Sequence, residues 1–117
     1  MDKVSIWHNP RCSKSRNSVT LLEEKGIEAE IVKYLEDVPT KEELQQILKM
    51  LDFSSARELM RTNEAIYKEL NLKEENFEDA LLEAMISNPK LIERPIVIKG
   101  SKAVIGRPIE KVIALLA

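Results

Sequence analysis

Two spacings of hydrophobic residues alternate along this 117-residue chain, and they predict its secondary structure. Residues 3–7 and 27–34 alternate between polar and apolar side chains, which predicts two short strands. Between them, apolar positions at helical spacing predict a helix capped by Ser13 or Ser15 and ending near Gly26. A strand, a helix and a second strand in this order form a βαβ unit, so we expect the two strands to be parallel.

The middle of the chain carries only helical patterns, from residue 40 to residue 88. Thr40 and Glu43 have the spacing of a capping box, and Ser55 with Glu58 repeats it. No Gly/Ser-rich linker separates this region from its neighbours. We therefore interpret it as an all-helical insertion in a single domain that spans the whole chain.

Strand patterns return near the C-terminus. Residues 95–98 and 103–105 predict a β-hairpin around Gly100, and Pro108 suits the first turn of a final helix. Without the helical insertion, this order of strands is that of thioredoxin-like domains. The predicted fold class is α/β, with a mixed four-stranded sheet, flanking helices and the helical insertion at about residues 40–88.

Composition and charge exclude several classes of protein. A hydrophobic content of 44% is too high for a disordered chain. The net charge of −2 argues against a nucleic-acid partner, and no apolar run is long enough to cross a membrane. The first residues lack the pattern of a signal peptide. We expect a cytoplasmic protein with a reduced thiol; the sequence does not decide the oligomeric state, and a monomer is favoured.

The only cysteine, Cys12, lies just before the first predicted helix. Arg11, Lys14 and Arg16 surround it with positive charge, and His8 is close in sequence. A helix N-terminus and nearby cations lower the pKa of a thiol, so we favour a reactive cysteine over a small buried one. The same surroundings are suited to a tetrahedral oxyanion.

Two further arginines precede prolines. Arg94 lies before Pro95 and Arg107 before Pro108, so both are expected in extended segments at strand ends or in loops. Loops at strand ends commonly hold the sites of α/β proteins. Spacing alone leaves a second interpretation open, in which each arginine forms an ordinary ion pair at the surface.

The positions around Cys12 exclude three common motifs. Ser15 stands where a Cys-x-x-Cys protein has its second cysteine, so this chain cannot close its own disulfide and an outside thiol must complete any redox cycle. Ser18 stands where the Cys-x5-Arg loop of tyrosine phosphatases has its arginine. No cluster of zinc ligands is present in the sequence, so no metal is expected.

Several segments together resemble one family over essentially the whole chain, the glutaredoxin-coupled arsenate reductases of the ArsC family. The matching segments, in chain order, are His8–Asn17 (HNPRCSKSRN), Tyr34–Glu36 (YLE), Ala56–Arg61 (ARELMR), Asn88–Pro89 (NP), Glu93–Val97 (ERPIV) and Gly106–Arg107–Pro108.

The resemblance implies a function and a set of site residues. It implies that Cys12 attacks arsenate and forms a thiol–arsenate adduct, with glutathione as co-substrate, glutaredoxin as partner protein and no tightly bound cofactor. The remaining implied roles are a histidine that lowers the thiol pKa (His8), anion-loop residues (Ser15, Arg16), three arginines for the arsenic oxyanion (Arg61, Arg94, Arg107) and a cis-proline facing the loop (Pro95).

Two alternatives share this fold. Spx-type regulators bind RNA polymerase, and they typically carry Cys-x-x-Cys as a redox switch. In this chain Ser15 stands in place of the second cysteine, which argues against this alternative. A glutathione-dependent thiol reductase with another substrate would use the same Cys12 thiol. Fold alone does not choose among these functions.

Overall fold

The computed structural model describes residues 3–117 and divides the chain into two compact units. The first unit comprises the residues up to Asp37 together with Arg94–Ala117, and the second comprises Val38–Glu93. In chain order the elements are β1 (Val4–Trp7), α1 (Ser13–Glu24), β2 (Ala29–Val32), α2 (Lys41–Leu51), α3 (Ala65–Glu69), α4 (Glu78–Ser87), β3 (Ile96–Lys99), β4 (Lys102–Ile105) and α5 (Glu110–Leu116), with 3₁₀ turns at Ala56–Leu59, Leu72–Glu74 and Pro89–Leu91.

The first unit is built on a mixed four-stranded sheet with the strand order β2-β1-β3-β4. Strands β1 and β2 are parallel, whereas β3 runs antiparallel to both β1 and β4. The βαβ unit, the hairpin and the mixed thioredoxin-like sheet predicted from the sequence are therefore confirmed. Gly100 turns the hairpin with a φ of 61°, in the left-handed region that glycine adopts without strain.

Helices α1 and α5 pack on the same face of this sheet. Ile6 of β1 pairs in register with Val97 of β3, and both are buried with Leu22 of α1 and Val112 of α5. Because side chains alternate along a strand, Trp7 points to the opposite face.

The second unit is helical, as predicted for about residues 40–88. Thr40 and Glu43 form the predicted capping box at the start of α2, with the Glu43 N–H donating to Thr40 Oγ1 over 3.2 Å. Ser55 and Glu58 also form a capping box, but the element after it is only a 3₁₀ turn. The chain leaves that turn at Met60, whose extended backbone pairs with a later segment in an isolated antiparallel bridge.

The prediction of one domain over the whole chain, with the helical region as an insertion, stays a prediction. Within residues 3–117, no helix is both long and apolar enough to span a bilayer.

Candidate active site

The loop between β1 and α1 turns so that Cys12 becomes the N-cap residue of the helix. The Cys12 N–H donates to the Asn9 carbonyl over 3.0 Å, and Cys12 has an extended φ and ψ of −97° and 123°. The prediction that Ser13 or Ser15 caps α1 is wrong. Ser15 Oγ is instead engaged with the preceding loop, and no side-chain hydrogen bond caps α1 among the described residues.

The Cys12 thiol is buried, with 8% of the residue exposed, and yet its pKa is lowered. Burial is the largest influence and by itself raises the pKa of this thiol. The backbone N–H groups of Ser15 and Lys14 at the start of α1 lower it. The positive charges of Arg94 and Arg107 lower it further, so that the net pKa lies below the usual value for cysteine.

Arg107 contacts the thiol directly. Its Nη2 donates to Cys12 Sγ over 3.3 Å, and its Nε donates to the Arg94 carbonyl over 2.8 Å. The guanidinium is thus held between the chain before β3 and the start of α1. In this position it stabilises the thiolate more than the neutral thiol.

Arg94 brings unpartnered donors to the same place. Its Nε and Nη1 are buried and have no hydrogen-bond partner within residues 3–117, although its charge acts on the Cys12 thiol. A buried donor without a partner costs about 1–3 kcal/mol, more when it is charged. Donors of this kind are typical of a site that receives an anion, where a ligand oxygen supplies the missing acceptor.

His8 lies against Ser15. Its Nδ1 is 2.6 Å from Ser15 Oγ, which also accepts the Asn9 N–H over 3.0 Å. Burial, followed by the charges of Lys33 and Arg16, lowers the pKa of His8 below its usual value near 6.5. No hydrogen bond joins His8 to Cys12 in the described chain, and its predicted catalytic role stays a prediction.

Arg16 extends along the surface of the loop. Its Nη1 donates to the Pro10 carbonyl over 2.9 Å, and the residue is exposed. This hydrogen bond links α1 to the turn that precedes Cys12. Binding of an oxyanion by Arg16, or by Ser15, stays a prediction.

Arg61 belongs to the second unit. Its Nη1 pairs with Glu64 Oε1, and its backbone N–H donates to the Leu91 carbonyl over 2.7 Å. The hydrophobic pattern and the motifs of the sequence do not point to Arg61. Its predicted role came only from the resemblance to the ArsC family. Its predicted role in oxyanion binding is likewise still a prediction.

In the described part of the chain, two X-Pro peptide bonds are cis, Arg94–Pro95 and Arg107–Pro108. The first was expected from the resemblance, and the second was not. Pro108 precedes α5, which begins at Glu110 after the N-cap residue Ile109, so the prediction that Pro108 lies in the first helical turn is wrong.

Sequence reasoning assigned no role to two residues beside the site. Ser18 of α1 is fully buried, and its Oγ has no hydrogen-bond partner in the described part of the chain. Gly106 approaches both Ser18 and the Pro95 ring closely. Neither has a local sequence signal, since a serine in a helix and a glycine after a strand are both common. Across residues 3–117, no group of three or more His, Cys, Asp or Glu could hold a metal ion.

Comparison with known proteins gives a consistent result. The sequence profile described as the ArsC family matches residues 7–115. The chain is 53% identical over 115 residues to "Uncharacterized protein YfgD" of Escherichia coli, and 97% of each chain is covered. It is 50% identical over 117 residues to "Arsenate reductase" of Neisseria meningitidis, covering 99% of this chain and all of that protein. The solved structure "Arsenate reductase from Vibrio cholerae" matches with a TM-score of 0.93 at 47% identity, with 97% of each chain covered.

Proposed function

The chain belongs to the ArsC family, and on this premise we propose that it is an oxidoreductase that reduces arsenate to arsenite. The observation that carries the proposal is the thiol of Cys12, which has a lowered pKa and accepts a hydrogen bond from Arg107 beside the unpartnered donors of Arg94. These groups are suited to bring a nucleophilic sulfur and an oxyanion together. Relatives named arsenate reductase support the choice of arsenate.

In the first step, the Cys12 thiolate attacks the arsenic atom of bound arsenate. A sulfur–arsenic bond forms, and one arsenate oxygen leaves as water after protonation. Arsenic remains in the +5 state in this step. A thiolate and an oxyanion repel each other, and the guanidinium groups of Arg94 and Arg107 offset that repulsion as the two approach.

The electrons come from outside the chain, because Cys12 is its only cysteine. Arsenic gains two electrons on passing from +5 to +3, and two thiols lose two electrons on forming one disulfide. We propose that glutathione is the external thiol. A glutaredoxin then reduces the disulfide that glutathione has formed. Over the cycle, arsenate and two thiols give arsenite, one disulfide and one water.

The proposal includes no tightly bound cofactor, no metal and no nucleic-acid or membrane partner. We further propose that the protein acts as a monomer in the cytoplasm. The two alternatives, an Spx-like regulator and a thiol reductase for another substrate, would retain the same thiol. Neither of these alternative functions couples the reduction of arsenate to the oxidation of glutathione.

The decisive experiment is arsenate-dependent oxidation of NADPH with glutathione, glutaredoxin and glutathione reductase present. We expect steady turnover by the native protein and none by Cys12→Ser, which lacks the nucleophile. Turnover without arsenate, or equal turnover by both proteins, would contradict the proposal. Absence of turnover in a protein that still alkylates at Cys12 would direct the search to the two alternatives.

The role of the anion-binding donors has its own matched pair of variants. Arg94→Met should lower kcat/KM for arsenate by roughly 10²-fold or more, because buried charged donors to a reacting oxyanion contribute that much. Lys14→Ala removes a cation at an exposed position near Cys12 and keeps the backbone N–H, so its kcat/KM should stay near the native value. An equal loss of kcat/KM in the two variants would mean that activity depends on positive charge near Cys12 in general. It would contradict a specific role for the hydrogen-bond donors of Arg94.

A further inference from the structure

Gly106 lies where three elements meet. It follows β4 directly, and its N–H donates to the Pro95 carbonyl over 2.8 Å. A Cβ added at Gly106 would lie 2.9 Å from Pro95 Cγ, 2.9 Å from Ser18 Oγ and 3.1 Å from Val112 Cγ2. The first two distances are shorter than real Cβ contacts, so no other residue fits here without a shift.

The neighbours of Gly106 have little freedom to move. Pro95 is a buried ring closed onto its own backbone nitrogen, and Val112 is a β-branched residue of α5 with no exposed surface. Ser18 is also fully buried in α1. Closely packed protein interiors have low compressibility and transmit a displacement to their neighbours. A methyl group at Gly106 would therefore displace the chain at Gly106 itself.

The residue that would move with it is Arg107. Its Nη2 donates to Cys12 Sγ over 3.3 Å and its Nε donates to the Arg94 carbonyl over 2.8 Å. Cys12 caps α1, the helix that carries Ser18. A displacement of Gly106 away from α1 would therefore also carry Arg107 away from the sulfur.

We propose that Gly106 is a positioning residue, whose missing side chain lets Arg107 reach the sulfur of Cys12. The requirement for glycine is steric and not conformational, because the backbone of Gly106 lies outside the left-handed region. The inference rests on the proposed function only in that Cys12 is the reacting group. Its test uses alkylation without arsenate, so it can fail or succeed independently of arsenate reduction.

The experiment measures the alkylation rate of Cys12 by iodoacetamide as a function of pH. The charged groups acting on the thiol are Arg94 and Arg107, so a displaced Arg107 leaves the thiolate less stabilised. In Gly106→Ala the midpoint of the profile should move to higher pH. Below the midpoint the rate should fall by roughly two- to fivefold, since the smaller thiolate fraction outweighs its higher nucleophilicity.

A double-mutant cycle shows whether Gly106 acts through Arg107. In an Arg107→Ala background, Gly106→Ala should leave the alkylation profile unchanged, because the contact it disturbs is already absent. An equal shift of the midpoint in both backgrounds would overturn the proposal. So would a native profile for Gly106→Ala alone.

Two controls separate positioning from loss of stability. Gly26→Ala introduces backbone strain, at a φ of 68°, in open space at the far end of α1. It should lower stability and leave the alkylation profile unchanged. Should Gly106→Ala not fold, Ser18→Ala combined with Gly106→Ala relieves one close contact and retains the one with Pro95. That protein must alkylate more slowly than Ser18→Ala alone, and equal rates would overturn the proposal.

Discussion

At the scale of single residues, the hydroxyl of Ser15 connects the histidine to the loop before the thiol. Ser15 Oγ accepts the Asn9 N–H, and its own proton is free to donate to His8 Nδ1. When the Ser15 hydroxyl donates in this contact, the imidazole is neutral and carries its proton on Nε2. The lowered pKa of His8 agrees with a neutral ring. The contact connects His8 to the loop that leads to Cys12.

The burial of His8 and the nearby charges of Lys33 and Arg16, which lower its pKa, predict how stability depends on pH. Because the pKa of His8 is lowered in the folded protein, the unfolded chain takes up the proton first as pH falls. Stability from this group is therefore complete above a pH of about 6.5 and is lost as pH falls towards the folded pKa. His8→Asn keeps an acceptor near Nδ1 but cannot titrate, so it should lose less stability over this range.

Urea unfolding at pH 7.5 and pH 5.5 provides the measurement. His8 is the only histidine of the chain, so the histidine contribution to the difference between the two proteins has a single source. The carboxylates are the same in both proteins, so their contribution to the change in the free energy of unfolding cancels in the comparison. The same loss of stability in the native protein and in His8→Asn would contradict a lowered pKa of His8 in the folded protein.

At the scale of elements, the two longest helices begin in opposite ways. Helix α1 begins at Cys12 with no side-chain cap among the described residues, and its free N–H groups act on the sulfur. Helix α2 begins with the complete capping box of Thr40 and Glu43. The uncapped terminus leaves α1 less stable locally and makes its N–H groups available to a thiolate.

Removal of the cap on α2 should destabilise the protein. Thr40→Ala deletes the hydroxyl that accepts the Glu43 N–H, and we expect a loss of about 1 kcal/mol in the free energy of unfolding. Thr20→Ala is the matched control, because exposed Thr20 lies inside α1 and its hydroxyl donates to the Arg16 carbonyl. Alanine is the better helix former there, so stability should be unchanged or slightly higher. Equal losses in the two variants, measured by urea unfolding, would contradict this assignment of the cap.

At the scale of the whole molecule, the presence of a single thiol limits the redox chemistry that the chain can complete without another molecule. Cys12 has no partner cysteine in the sequence, so any disulfide that it forms must join it to another molecule. Its lowered pKa increases the thiolate fraction near neutral pH. Both properties favour exchange with an external disulfide.

We expect oxidised glutathione to form one mixed disulfide with the native protein at neutral pH. The Cys12 thiolate attacks one sulfur of oxidised glutathione, and a glutathione thiolate leaves. Intact mass spectrometry should show a single adduct, removed by glutaredoxin with reduced glutathione, and no adduct on Cys12→Ser. Failure of the native protein to react as fast as a free cysteine peptide would contradict an activated thiol.

The elements of the fold were largely predictable because their signals are local. Alternation and helical spacing located β1, α1 and the hairpin, and the capping box located the start of α2. The errors arose where distant contacts overrode local preference. The turn after Ser55 stays short because Met60 pairs with Ile92, and Ser15 does not cap α1 because it contacts His8.

The sequence by itself determined the strands and helices, the position of Cys12 at a helix start and the need for a second thiol from outside. These properties follow from composition and from residues within a few positions of one another. Only the tertiary structure decided that Arg107, 95 residues from Cys12, donates to its sulfur. It also decided that Gly106 has no room for a side chain. Such contacts depend on which strands and helices pack together, and local spacing carries no information about that.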